Sequence, residues 1–178
     1  MIYDDILFFE YRAGSGKALE RLYERLKLPM LKTAAVLTRD PVAAEDIVQD
    51  IFMQLVKNRK TLGHIRNIRS YLFSAVANRA RNYYRDNARD SGGIDEYTAA
   101  DHRTPEAWLI QNEQLMKLSN LVNQLSYDQR EVLLLHIEGG LKFRQIADIL
   151  HISANTAASR YRYGIGKLRS LLNGNETL

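Results

Sequence analysis

Apolar residues recur at steps of three and four along most of this 178-residue chain, and strand-like alternation of any length is missing. Such steps place side chains on one face of a helix, whereas alternation indicates a strand. The helices predicted in the first half cover about residues 17–37, 41–57 and 68–89. Asp40 is a suitable cap for the second of these helices. The sequence therefore predicts an all-α fold.

A break in composition divides the chain into two parts. Residues 91–104 include a Ser-Gly-Gly run and several acids but few large apolar side chains. This composition is typical of a flexible linker. We predict two small helical domains, one over residues 1–90 and one over residues 105–178.

Several classes of site are excluded or disfavoured by composition. The chain contains no cysteine, and its four histidines lack the spacing of metal ligands. A disulfide framework and a Cys-ligated zinc site are therefore excluded, and we expect neither a metal nor a cofactor. No apolar run approaches the roughly 18 to 20 residues that a membrane span requires. We expect a cytoplasmic protein without membrane insertion.

Positive charge is concentrated in two blocks. The net charge is only +4, but residues 57–90 and 139–178 contain an excess of Lys and Arg, whereas residues 1–56 and 91–138 contain an excess of Asp and Glu. Proteins that bind nucleic acids concentrate cations on particular elements. A solvated helix face explains either block alone. Two such blocks, each ending a predicted domain, favour a nucleic-acid partner.

Residues 142–172 have the layout of a helix-turn-helix. A short helix over 143–150 is followed by a tight turn and by a second helix that Ser153 caps. The second helix has a polar and cationic face opposite its apolar one, as a helix in the major groove requires. An ordinary helical hairpin with a solvated face is the alternative. The residues expected to contact DNA are Asn155, Thr156, Ala158, Ser159, Arg160, Arg162, Tyr163 and Lys167.

Six stretches carry a resemblance to one known family. They are residues 45–52 (EDIVQDIF), 71–85 (YLFSAVANRARNYYR), 125–135 (LSYDQREVLLL), 138–140 (EGG), 145–150 (QIADIL) and 152–160 (ISANTAASR). In this order they resemble the extracytoplasmic-function group of bacterial sigma factors, in the sigma-70 family. The resemblance covers nearly the whole chain. It implies two helical domains, regions 2 and 4, in a dissociable subunit that carries core RNA polymerase to promoters and opens them.

The resemblance also implies partners. The chain would have no catalytic activity of its own, because the chemistry belongs to the core enzyme. The second domain would contact the beta flap of the polymerase. An anti-sigma protein wedged between the two domains would hold the factor inactive and could keep it at the membrane. The residues that the resemblance assigns to the clamp helices of the beta-prime subunit are Asp46, Gln49, Asp50 and Met53.

The downstream (−10) promoter element is assigned by the same resemblance to the helix over 68–89 and the loop over 61–67. Cationic side chains can bind the phosphates of a single strand, and amide side chains can hydrogen-bond to base edges, so both suit strand separation. The residues expected at this element are His64, Asn78, Arg81, Asn82 and Arg85. Four interleaved aromatic residues are equally consistent with the core and with stacking on an unpaired base: Tyr71, Phe73, Tyr83 and Tyr84.

Departures from the family pattern concern the upstream (−35) element. Ala158 stands where family members commonly have Lys or Arg, and Gly164 lowers helix propensity by about 1 kcal/mol relative to Ala. We therefore expect an unusual or weakly bound −35 sequence. Lys142 replaces the customary Ser or Thr cap of the first helix of the helix-turn-helix, which predicts an irregular start of that helix.

Two other classes of protein match parts of the sequence. A stand-alone helix-turn-helix regulator explains the second domain but gives no role to Asp46, Gln49 or the helix over 68–89. A helical metal-dependent hydrolase would have to use Glu45, Asp46 and Asp50. No histidine or second acidic cluster joins these three in sequence to complete a metal site.

Overall fold

The computed structural model describes residues 2–90 and 121–174, apart from the side chains of residues 88–90 and 174. All regular structure in these ranges is helical, which confirms the predicted fold class. The helices are α1 (Ile2–Ala13), α2 (Gly16–Thr38), α3 (Pro41–Lys57), α4 (Ile68–Asp90), α5 (Tyr127–Ile137), α6 (Phe143–Leu150) and α7 (Ala154–Gly174), with a 3-10 turn at Leu62–His64. The predicted linker over 91–104 lies outside the described residues.

Side-chain caps define the starts of two helices. The carboxylate of Asp40 accepts hydrogen bonds from two amides in the first turn of α3, whose first residue is Pro41. Ser126 and Gln129 form a reciprocal capping box at the start of α5. These bonds satisfy amides that have no partner inside the helix. The sequence predicts both starts.

α1 is a helix that the sequence analysis did not identify. It buries Leu7, Phe8 and Tyr11 on one side, while Ile2 and Phe9 are exposed on the other. Apolar residues on both sides leave no single apolar stripe, and such a stripe is the signal that revealed the other helices.

The start of α4 depends on α1. The amide of Ile68 donates a 2.9 Å hydrogen bond to the carboxylate of Asp5, which lies 63 residues earlier. A local cap is also present, since Asn67 accepts a 2.7 Å hydrogen bond from the amide of Ser70. One amide of this helix end is therefore satisfied locally and another by a distant segment.

α2 is the centre of the N-terminal unit, which we define as α1 to α4. It packs on all three of the other helices. One side of α2 is completely buried along its length, through Leu22, Leu26, Met30, Ala34 and Leu37. The helix continues through Pro29, which lies on a partly exposed side.

The C-terminal unit, α5 to α7, is held by two tight chain reversals. After α5 the chain turns at Gly139 and Gly140. Gly140 has a φ of 63°, and a Cβ on Gly139 would collide with the α5 backbone. α6 ends at His151, whose φ is 54°, and the next amide returns to the carbonyl oxygen of Ala147. Left-handed Gly140 lies in the turn between α5 and α6, and left-handed His151 lies in the turn between the two helices of the helix-turn-helix.

The two units share a continuous core. The largest cluster of buried side chains includes Phe73 of α4 together with Leu135 and Leu141 of the C-terminal unit. α2 also contacts α5 along this boundary. A smaller cluster is formed by Leu121, Val122, Leu125, Leu133 and Leu168. The C-terminal unit therefore buries apolar surface both against itself and against the N-terminal unit.

A buried carboxylate links both units. Asp4 is fully buried and accepts hydrogen bonds from Arg25 at 2.9 Å and from Arg69 at 3.2 Å. Arg69 also donates to the carbonyl oxygens of Glu138 and Gly139, at 2.7 and 2.6 Å. Burial alone would raise the pKa of Asp4, but the arginine hydrogen bonds outweigh it and hold the pKa below its ordinary value.

Replacing Asp4 should strongly destabilise the protein. Asp4→Ala leaves the half-buried guanidinium of Arg69 without its carboxylate, and breaking a buried pair costs roughly 3 kcal/mol. We expect that loss in the free energy of unfolding measured with urea at pH 7, where the carboxylate is ionised. Glu10→Ala, an exposed acid of the same helix, should change stability by less than about 0.5 kcal/mol. Equal effects of both changes would contradict the role of Asp4.

Candidate nucleic-acid interface

The second helix of the helix-turn-helix, α7, presents much of the predicted polar face. Ser153 caps it by accepting a 3.0 Å hydrogen bond from the amide of Thr156. Asn155, Ser159 and Arg162 follow at steps of four and three, so they share one face. The exposed members of the predicted set are Asn155, Thr156, Arg162, Tyr163 and Lys167, and the half-buried members are Ala158, Ser159 and Arg160.

The cations of α7 differ in how strongly the protein itself holds them. Arg160 forms a 2.6 Å ion pair with Asp128 of α5, and the ammonium of Lys167 donates to the carbonyl oxygen of Gln124 at 2.7 Å. Arg162 donates a long hydrogen bond of 3.4 Å to the hydroxyl of Ser159. Its guanidinium is therefore the one best placed to donate two hydrogen bonds to a base edge.

Three aromatic rings fix the two helices of the motif to α5. The ring of His136 stacks on Phe143 at 4.7 Å and meets Tyr161 edge-on at 4.8 Å. Phe143 is the first residue of α6 and directly follows Lys142, which stands where the family has its cap. The amide of Lys142 is satisfied instead by the side chain of Gln145, at 3.0 Å. α6 thus begins at the predicted residue with a different cap.

The polar face of α4 contains the side chains predicted for strand separation. Asn78, Asn82 and Arg85 are exposed. Arg85 lies 3.6 Å from Asp86 in an exposed ion pair, which contributes little. Arg81 is different, because its guanidinium forms a 2.6 Å ion pair with Glu131 of α5. Of this predicted set, Arg81 is the member that lies at the boundary with the C-terminal unit.

The aromatic residues of α4 have packing roles in this arrangement. Phe73 is fully buried and belongs to the core. Tyr71 packs against that core, and the hydroxyl of Tyr83 donates to the carboxylate of Asp40. The ring of Tyr84 lies 4.7 Å from that of Tyr127. Stacking on an unpaired base is therefore excluded for Phe73 and would require the other rings to move.

The loop before α4 is anchored by cations that the sequence analysis did not select. Leu62 is buried beneath the loop, while His64 is exposed on it. Arg12 of α1 donates to the carbonyl oxygen of Gly63 at 3.5 Å, and Arg59 donates to the backbone of Arg12 at 3.3 Å. Arg12 could not be linked to this loop from sequence, because α1 itself was not recognised.

One exposed face of α3 combines apolar and acidic side chains. Asp46, Gln49 and Met53 lie on it, and Val42 and Val56 extend it at the same helical steps. The sequence analysis did not select the two valines, although their spacing from Asp46 and Met53 places them on the exposed side of the helix. Large apolar side chains exposed together mark an interaction surface. Asp50 lies beside this face, 70% exposed, and pairs with Arg79 at 2.8 Å.

The acidic residues of α3 have no further metal-ligating side chains beside them in the described part of the chain. Within residues 2–90 and 121–174, no three His, Cys, Asp or Glu side chains group as a metal site would require. No helix in the described part of the chain is long and apolar enough to cross a membrane.

Two family models match the chain. The model described as Sigma-70 region 2 matches residues 22–90, and the model described as Sigma-70, region 4 matches residues 115–168. Together they cover more than half of the sequence. The chain belongs to the sigma-70 family.

Relatives of this sigma factor are found in the extracytoplasmic-function group. It is 27% identical over 167 residues to the ECF RNA polymerase sigma factor SigL of Mycobacterium tuberculosis, with 90% of this chain and 92% of the relative covered. It is 26% identical over 166 residues to the RNA polymerase sigma factor CarQ of Myxococcus xanthus, with 91% and 93% covered.

Two solved structures share the fold. CnrH, in complex with the cytosolic domain of CnrY, superposes with a TM-score of 0.71 at 22% identity, covering 97% of this chain and 98% of that one. The sigma factor RpoE of Bartonella quintana, in complex with the anti-sigma factor NepR, gives a TM-score of 0.68 at 25% identity, with 86% and 95% covered.

The family matches divide the candidate sites between them. The region 2 match contains the exposed face of α3, the loop and the polar face of α4, whereas the region 4 match contains the helix-turn-helix. A stand-alone regulator would account for region 4 alone. The region 2 match therefore favours the sigma factor over that alternative.

Removing the guanidinium of Arg162 should weaken recognition of the upstream promoter element. A two-bond contact with a base contributes about 1–3 kcal/mol, so we expect Arg162→Ala to reduce promoter affinity of the polymerase complex by about tenfold or more. Arg169→Ala removes an exposed cation of the same helix outside the predicted contact set and serves as the control. Filter binding at fixed salt measures both, and equal affinities for the two variants would refute the assignment.

Proposed function

We propose that this sigma factor binds core RNA polymerase through region 2 and region 4, directs it to −35 and −10 promoter elements, assists promoter melting, and performs no catalysis itself. The observation that carries the proposal is the presence, in one chain, of both family regions, each with an exposed face suited to a macromolecular partner. Its place of action is the cytoplasm, where polymerase and promoters are found.

The exposed face of α3 is the proposed polymerase contact. Asp46, Gln49, Asp50 and Met53 would meet the clamp helices of the beta-prime subunit. Val42 and Val56 lengthen the apolar part of this surface and would be desolvated with Met53. The C-terminal unit would contact the beta flap.

The proposed DNA contacts follow the two cationic helices. α7 would enter the major groove of the −35 element, with Asn155 and Arg162 at the base edges. The Asp128 carboxylate holds Arg160 beside that face, where it would approach a phosphate. α4 would follow the −10 element with Asn78, Arg81, Asn82 and Arg85, and His64 would contribute from the loop. We retain residues 1–90 and 105–178 as the proposed domains.

An anti-sigma protein is the proposed regulatory partner. RpoE of Bartonella quintana was solved with an anti-sigma factor bound, and the present chain shares its fold. Such a protein would compete with polymerase for the region 2 surface and could keep the factor at the membrane.

The decisive experiment mixes the purified chain with bacterial core RNA polymerase on a genomic promoter library. Specific transcript starts that require both components would support the proposal and reveal both promoter elements. Failure to bind core, together with shifting of duplex DNA by the protein alone, would support a stand-alone regulator instead.

Changing the polymerase face should abolish association. Asp46→Arg combined with Gln49→Ala places a cation and a truncated side chain at the centre of the α3 face, and we expect at least about a 100-fold loss of affinity for core polymerase. Glu20→Arg, an exposed acid of α2, makes the same charge change elsewhere and should bind normally. Co-purification with core measures the effect, and undiminished recovery of the double variant would overturn the assignment.

A further inference from the structure

Five cations lie in or beside the loop before α4, and no acid of the described residues pairs with them. One belongs to the end of α1 and four to the chain around the loop: Arg12, Lys57, Arg59, Lys60 and Arg66. All are exposed except Arg59, which is half-buried. None of the ion pairs within residues 2–90 and 121–174 includes these side chains. Like charges gathered without a counter-charge repel one another, so this surface suits an anionic partner.

Two of these arginines are held in place by neutral groups. Arg12 donates to the carbonyl oxygen of Gly63 at 3.5 Å, and Arg59 donates to the carbonyl oxygen of Arg12 at 3.3 Å. The guanidinium of Arg59 also lies 5.5 Å from the centre of the Tyr11 ring. A guanidinium has five N–H donors, and each of these two uses one of them in these bonds. Their positions are thus fixed, while their charge and most of their donors remain available.

The backbone beside both guanidiniums carries no side chain. A Cβ on Gly63 would lie 3.1 Å from a terminal nitrogen of Arg12, and a Cβ on Gly14 would lie 3.2 Å from a terminal nitrogen of Arg59. Both distances are shorter than an ordinary van der Waals contact. The two glycines therefore let both guanidiniums lie close against the main chain at the junction of α1 and the loop.

An exposed aromatic ring lies on the same side of α1 as Arg12. Asp5, Phe9 and Arg12 follow one another at steps of four and three, so they share one side of the helix. Asp5 and Arg12 both bond to the segment that leads into α4, so this side is the one nearest the loop. The ring of Phe9 is 70% exposed, although large apolar side chains are usually buried. Single-stranded nucleic acids bind where exposed rings and cations lie side by side.

We propose that Phe9, Arg12 and Arg59 form a platform for single-stranded DNA, on which the ring stacks on one unpaired base while the two guanidiniums bind the neighbouring phosphates. The proposal rests on the proposed function for the source of that strand, the melted −10 element beside His64. Arginine suits phosphate because its planar donors bind two oxygens together. The platform is independent of sequence, since stacking tolerates every base and every nucleotide carries a phosphate.

The platform adds α1 to the DNA-binding surface of the chain. Phe9 and Arg12 lie outside the region 2 match, which begins at residue 22, and the sequence analysis selected neither of them. An acidic protein segment would satisfy the cations alone. Single-stranded DNA satisfies both features of the surface, because each nucleotide offers a flat base to the ring and a phosphate to the guanidiniums.

Binding of an oligothymidylate of about twelve nucleotides tests the platform without polymerase. The platform is exposed in the structure, so the purified chain should bind this strand, as measured by fluorescence anisotropy. Phe9→Ala removes the stacked base contact and should weaken the affinity about tenfold. Ile6→Ala removes another exposed apolar side chain of α1, which is not at the steps of Phe9 and Arg12, and should bind like the parent. Phe9 and Ile6 are both exposed, so both variants should fold.

The salt dependence separates phosphate contacts from a purely structural role of the arginines. Each lost contact with a single strand should reduce the slope of log affinity against log salt concentration by about 0.7. We expect that reduction for Arg12→Gln and about twice as much when Arg59→Gln is added. Arg21→Gln removes an exposed arginine of α2 that lines a groove with Glu20 and Glu24, and should leave the slope unchanged. A structural role would lower affinity equally at every salt concentration.

Undiminished binding by Phe9→Ala, an unchanged slope in the double arginine variant, or no binding by the parent would each overturn the platform. Variants that lose affinity for core polymerase but bind the oligonucleotide like the parent would indicate an acidic protein partner and would also overturn it. Specific transcription by the parent with core, together with unaltered oligonucleotide binding in the variants, would reject the platform alone. The expected losses in the variants, without specific transcription by the parent, would reject the proposed function alone.

Discussion

The packing of the two units against each other depends on the guanidinium of Arg69. It lies between the buried carboxylate of Asp4 and the carbonyl oxygens that end α5. An arginine has five donors in a fixed plane, so a single side chain can satisfy a carboxylate and two carbonyl groups together. Through Asp4 and Arg25 the same network reaches α1 and α2. The position of the helix-turn-helix relative to region 2 is thus determined by charge-assisted hydrogen bonds as well as by the shared apolar core.

Cations suited to DNA are held by acids of the same chain in several places. Arg81 pairs with Glu131 across the boundary, and Arg160 pairs with Asp128 inside the C-terminal unit. These pairs differ in burial: the carboxylate of Glu131 is inaccessible, whereas that of Asp128 is half-exposed. Exposed pairs exchange partners at little cost in free energy, whereas a buried pair separates only when the surrounding packing opens and admits water. The two arginines therefore differ in the free energy needed to release them from their carboxylates for binding to DNA.

Local signals in the sequence predicted several elements correctly. Asp40, Ser126 and Ser153 cap their helices as expected, and the turn at His151 separates the two helices of the motif. α1 escaped recognition because its apolar residues are distributed on two sides. The burial of Phe73 could not be assigned from spacing, since nothing in the sequence distinguishes it from Tyr71, Tyr83 and Tyr84 of the same helix, which are only partly buried.

The sequence by itself determined the helices other than α1, the caps of α3, α5 and α7, the helix-turn-helix and the membership of the sigma-70 family, because each depends on residue types at short, fixed separations. The tertiary structure alone decided that Asp5 caps α4, that Arg12 bonds to the loop before α4, and that Glu131 of one unit pairs with Arg81 of the other. These pairings join residues 50 or more positions apart. Such contacts depend on how whole helices pack, and no local periodicity records which charged side chains that packing brings together.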